Sequence, residues 1–301
     1  MISWLRRGAA AATLAGERSY LWPAGTLAWS ASLGWLPLLL AVAPPDVDDV
    51  AGLAVSLYSS GSYPANVVAL AVAVVSGFML LVLLAAAAEV AIVRALRAPE
   101  PARGEAARPA WNGPSPGAAT LAGLAVVLLA SAPALVAAAW LAVGIATEGP
   151  AIYSAPGSES TIVPRLAATV LPQIAVLAVV LLLSQALGGS LLRRAISAPS
   201  DRLGAALRDG LRDVARRPFR PIGVAAVGLL KDGLLLTGSW ALLQELWRPV
   251  GAALGPGLLD SPQVLLLLVG FVAIWLILLL VGGALHAFVS AWWLFEEADA
   301  R

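Results

Sequence analysis

Residues 65–93 read ANVVALAVAVVSGFMLLVLLAAAAEVAIV, an apolar run that carries no charge until Glu89. About 20 helical residues cross the ~30 Å hydrocarbon layer of a bilayer. The run exceeds that length, and it is too long and too uniformly apolar for a strand or for the stripe of a soluble amphipathic helix. Working outward, five comparable runs fall near residues 24–43, 118–146, 166–189, 222–246 and 264–289. The chain therefore reads as an all-α integral membrane protein with six transmembrane helices, forming one polytopic membrane domain over 1–301.

Composition agrees. Of 301 residues, 60% are hydrophobic and 12% charged, against about 25% charged in a soluble domain. Mean hydropathy is +0.86. This is more apolar surface than one globular core can bury, so the remainder faces lipid. A net charge of +1 gives the whole chain no strong attraction to nucleic acid, which is not expected as a partner. With one His and no Cys, thiol chemistry and Cys-ligated zinc or iron–sulfur clusters are excluded. No metal or cofactor is expected. The chain contains no GxxxxGK[ST], no HExxH and no GxSxG, and no GxGxxG followed by a suitable acidic residue. Asp46, Asp48 and Asp49 lack the spacing and glycine of an EF-hand loop and read as a solvated acidic loop.

Arg and Lys in the short connections set orientation. One side gathers Arg6, Arg7 and Arg18, then Arg94, Arg97, Arg103 and Arg108, then eight arginines from Arg193 to Arg220, and Arg301; the other has Arg165 and Arg248. Sixteen against two places both termini in the cytoplasm of an inner-membrane protein. Trp22, Trp111, Trp292 and Trp293 then mark the inner boundary, and Trp240 and Trp247 the outer one. The small-x-small triplet Ala41-Val42-Ala43 resembles a signal cleavage site, but the segment before it is long and Pro44 follows directly, so the first span is expected to be retained.

Prolines recur in register. Pro64, Pro164 and Pro262 precede the even-numbered spans, and Pro23, Pro116 and Pro221 the odd-numbered ones. Proline suits a first helical turn, where its missing N–H would be unpaired anyway. The pattern suggests three tandem hairpins, 1–97, 98–198 and 199–301, as parallel repeats. The connection around 98–117 reads as an irregular loop. Before the fifth span, Leu203, Leu207, Leu211 and Val214 form one helical stripe, with Arg208, Arg212 and Arg216 on other faces and Pro218 as a stop. This predicts an interfacial amphipathic helix whose Arg208, Arg212, Arg216 and Arg217 meet anionic inner-leaflet headgroups. Residues 4–15 are a weaker version. Glycines at 223, 228, 233 and 238 wind around the fifth span and imply close neighbours on several sides.

Ionisable residues at membrane depth come first as functional candidates. Lys231 and Asp232 lie roughly 14 Å into the fifth span, counting 1.5 Å per residue from Ile222. Adjacent helical side chains diverge by about 100°, so direct pairing should be imperfect and a third partner is expected. Glu89, Gln185 and His286 lie 25, 21 and 24 residues after their leading prolines. If the hairpins repeat, these three share one depth and converge on an inner polar cluster where Glu89 and His286 exchange a proton. Gln173, after Pro172, is positioned to bond carbonyls freed by that proline.

These features point to a non-enzymatic membrane accessory or permease-like component. The alternative is a secondary transporter or channel with a midplane site at Lys231 and Asp232. A third reading is a membrane-embedded enzyme using Glu89 and His286. The expected partners are the bilayer, its anionic inner-leaflet lipids, and membrane-protein subunits or further copies of the chain.

Overall fold

A computed structural model describes residues 2–43, 56, 59, 61–97, 114–154, 162–253 and 262–298. All regular structure among them is helical. The quoted apolar run lies in α4 (Ala65–Arg97), which α1 (Ile2–Glu17), α2 (Trp22–Trp29) and α3 (Leu36–Val42) precede. Then follow α5 (Pro116–Ser154), α6 (Ile162–Thr169), α7 (Leu171–Ser197), α8 (Leu203–Arg216), α9 (Phe219–Ala253) and α10 (Pro262–Ala298). Five helices are long and apolar enough to cross a membrane, and the bent pair Ser19–Gly34 with Leu36–Val42 supplies a sixth if it counts as one span. The fold is that of an all-α polytopic membrane protein.

Two spans are broken where one run was expected. The first bends by 49° at a π-helical turn, Ser30–Gly34, after which Pro37 sits in the opening turn of α3. There its missing N–H costs nothing. The fourth breaks at Val170, with Pro172 in the first turn of α7. Gln173 is not drawn to that break. It lies beside α5, where a Cβ on Gly144 would sit 3.2 Å from its Nε2. α4, α5, α7, α9 and α10 all run past the C-terminal limits of the apolar runs. The acidic loop at 46–49 and the 98–113 part of the second connection lie outside the described residues.

The chain divides into two compact units, Met1–Trp111 with Leu230–Trp292, and Asn112–Leu229 with Trp293–Arg301. In the first, α2 crosses α10 at Gly25 and Gly283. A Cβ on Gly25 would strike the Gly283 carbonyl, and one on Gly283 would strike the Thr26 backbone. Such contact is possible only where both residues lack a side chain. One turn on, Trp29 is 1% exposed, with its indole over Gly34 and Gly282. Trp4 packs on Trp292 with ring centroids 4.5 Å apart. Arg18 Nη1 donates to the carbonyls of Ala95 and Leu96 at 2.9 and 3.2 Å, placing a cation at the carbonyl end of α4. A separate apolar cluster joins Ala41, Leu243, Val250 and Phe271.

In the second unit α5 packs along α7, and α8 docks on α7. The docking point is Gly210, where a Cβ would fall within 2.8 Å of Leu191 and 3.1 Å of Arg194. An ion pair from Arg194 to Asp213 holds the same contact. Two glycines of the fifth span depart from expectation. Among the described residues nothing lies within 4 Å of a Cβ added at Gly233 or Gly238, so no close crossing is found at these two positions.

Candidate functional site

The first unit's ionisable candidates, Glu89, Lys231, Asp232 and His286, are carried by α4, α9 and α10. Glu89 sits where α4 turns from exposed to buried, and it is 7% exposed. His286 and Ser290 are one helical turn apart on α10, so both face the same neighbour. The His286 Nε2 and Glu89 Oε1 atoms are 2.7 Å apart. Ser290 Oγ lies 3.0 and 3.1 Å from the two carboxylate oxygens and donates to them. Ser290 is 1% exposed. The geometry serves an Nε2–H donor to a carboxylate or a carboxylic acid donor to Nε2.

The structure thus brings Glu89 and His286 together. Gln185 is exposed on α7 and belongs to the other unit. Ser290 has no place in the sequence reading. Its only signal is the four-residue spacing from His286, and serines in apolar helices commonly bond their own backbone instead, as Thr237 does to Gly233 O at 2.7 Å.

Lys231 and Asp232 pair with each other directly. Nζ and Oδ1 are 2.7 Å apart, with side chains 9% and 21% exposed. The approach is close but not aligned as a hydrogen bond, and no third donor reaches Oδ1 among the described residues. The expected third partner is therefore not found there, while the divergence of adjacent side chains explains the poor alignment. Removing one partner of a buried pair strands the other charge. Lys231→Met is expected to lower stability by about 2 kcal/mol, below the ~3–5 of a fully buried pair because Asp232 is partly exposed. Adding Asp232→Leu should restore most of the loss in unfolding measurements in detergent. A permeation site would instead hold its stability in the single variant and lose flux.

Arg208, Arg212, Arg216 and Arg217 are all exposed on or just after α8, and Arg212 lies 4.0 Å from Asp209. Near them is a feature absent from the sequence reading. A cavity of about 60 Å³ is bounded by the end of α7, by α8, by the start of α9 and by the last turn of α10. Its walls bring Glu296 and Glu297, 8% and 9% exposed, near the buried Arg193.

The fold and these buried polar groups define the class, a multi-pass α-helical membrane protein. Comparison with protein families, with curated proteins and with solved structures finds no significant match.

Proposed function

We propose that the chain is a non-enzymatic, permease-like component of the inner membrane, with both termini in the cytoplasm, whose conformation responds to protonation of the Glu89–His286–Ser290 group. One observation carries this reading: a buried carboxyl in direct contact with a partly buried imidazole, between two apolar helices nearly 200 residues apart in sequence. An ionisable pair at such a place is expensive to keep, and an apolar contact would hold α4 to α10 as well. A group whose charge can change is the reason to retain it. The sixteen-to-two distribution of basic residues supports the orientation. The three-hairpin arrangement rests on the register of Pro64, Pro164 and Pro262.

The absence of native cysteine makes any introduced thiol unique. In Ala88→Cys and Ala287→Cys proteins reconstituted in liposomes, maleimide labelling is expected to change about tenfold more between pH 6 and pH 8 than in the same proteins carrying Glu89→Gln. That ratio removes the thiol's own titration. Equal pH profiles in the two backgrounds would refute the reading.

The transporter or channel alternative draws on the Lys231–Asp232 pair, and the stability test above separates it from a structural clamp.

A further inference from the structure

The cavity of the second unit is lined by Arg193, Arg194, Arg217 and Arg220 against Asp213, Glu296 and Glu297. Formal charges of +4 and −3 leave +1. Arg194 is committed to Asp213, and the remaining lining charges, three arginines against two glutamates, carry the same excess. Arg193 lies over the Trp293 ring at 5.9 Å from its centroid. That ring fits because Gly189 has no side chain: an added Cβ there would meet the indole. Arg217 is exposed at the mouth, where α8 ends, and has no ion-pair partner among the described residues.

We infer that this cavity binds a singly charged phosphoryl group. The excess charge matches one anion. Arginine forks present paired donors to the oxygens of a phosphoryl group, and Trp293, Val214 and Pro221 supply apolar wall that strengthens those bonds by excluding water. The two glutamates, buried on the same wall, hold the net charge low and disfavour a multiply charged anion. At about 60 Å³ the space suits one small polar head and excludes a nucleotide. The chemistry is shared by a phospholipid headgroup and by free phosphate. On the orientation proposed above, the cavity lies at the level of inner-leaflet headgroups, beside an amphipathic helix that would rest there. The site is distinct from a general attraction of the exposed arginines of α8, because it is walled and includes the buried Arg193.

The test uses the full chain. Purified protein is titrated by calorimetry with inorganic phosphate at about pH 6, where the monoanion predominates. In parallel it is placed in phosphatidylcholine nanodiscs with or without phosphatidylglycerol, and retained lipid is read by native mass spectrometry. Arg217→Gln and Arg220→Gln are expected to weaken binding at least tenfold, in the range of a lost charged hydrogen bond, while Arg202→Gln, an exposed arginine outside the cavity lining, leaves it unchanged. Phosphate binding without selective lipid retention assigns a soluble anion; selective retention of phosphatidylglycerol without phosphate binding assigns a headgroup. If neither probe binds, or if Arg202→Gln weakens binding as much as Arg217→Gln, the inference fails. Arg217 is exposed at the mouth, so its variant keeps the test open if Arg220→Gln does not fold. The phosphate arm is independent of membrane orientation and of the pH-labelling result.

Discussion

Gly283→Ala is expected to lower stability by about 3 kcal/mol or more, the upper end of the overpacking range. The reason lies in what the new methyl would meet. Side chains in a core can change rotamer to admit an added carbon, but the atoms facing Gly283 are the backbone and Oγ1 of Thr26, which yield only if α2 moves as a whole. Gly25→Ala should behave alike, since its Cβ would fall on the carbonyl of Gly283. Displacing α2 would also unseat Trp29, which is packed over Gly282 and Gly34. Gly270→Ala on the same helix is the control, with nothing among the described residues within 4 Å of its added Cβ. It should be neutral or stabilising by up to about 1 kcal/mol through helix propensity. Reversible unfolding in mixed micelles would compare the three. A Gly283→Ala protein as stable as its Gly270→Ala counterpart would mean that α2 and α10 do not cross as described.

His286→Ala should cost about 3–5 kcal/mol, the penalty of leaving an uncompensated buried charge. Hydrogen bonds between membrane helices average only ~0.6 kcal/mol, with a maximum near 1.7, so the magnitude identifies what is lost. A loss near 4 indicates an ionised Glu89 held by an imidazolium. A loss near 1 indicates a neutral pair sharing one proton. Glu89→Gln retains an acceptor for Ser290 and should cost about 1 kcal/mol, in the range of a net hydrogen bond. The double variant Glu89→Leu/His286→Leu, which removes the charge and its partner together, should recover most of the loss. Recovery would show that the group is not required for folding, leaving its retention to be explained by what its proton does.

Much of the architecture is legible in the residues. The run at 65–93 is helical because nothing in it interrupts the apolar pattern, and Arg94 and Arg97 end it where Arg18 meets its carbonyls. Counting from Pro64 and Pro262 puts Glu89 and His286 at one depth, and the structure brings them into contact. Gln185, counted from Pro164, lies exposed on α7 in the other compact unit, and depth carries no information about which face of a helix a residue occupies. Glycine is equally silent about its partner. Gly283 and Gly270 lie on one helix in similar apolar surroundings, yet only the first meets another backbone. The charged cavity is hidden for a different reason. Its walls come from residues 189–221 and 293–297, segments separated in sequence by the last two spans, and no local pattern links them.

The division within α4 has a mechanical consequence. From Val67 to Leu80 every residue is exposed, while between Ala86 and Leu96 most are buried. At 33 residues the helix is roughly 50 Å long, well beyond the ~30 Å hydrocarbon thickness, so it must tilt or extend beyond the layer. Only its second half is clamped by protein among the described residues. The exposed half is therefore the part of α4 on which hydrophobic mismatch would act, over fourteen exposed positions, while Glu89 lies in the half that contacts His286 and Ser290.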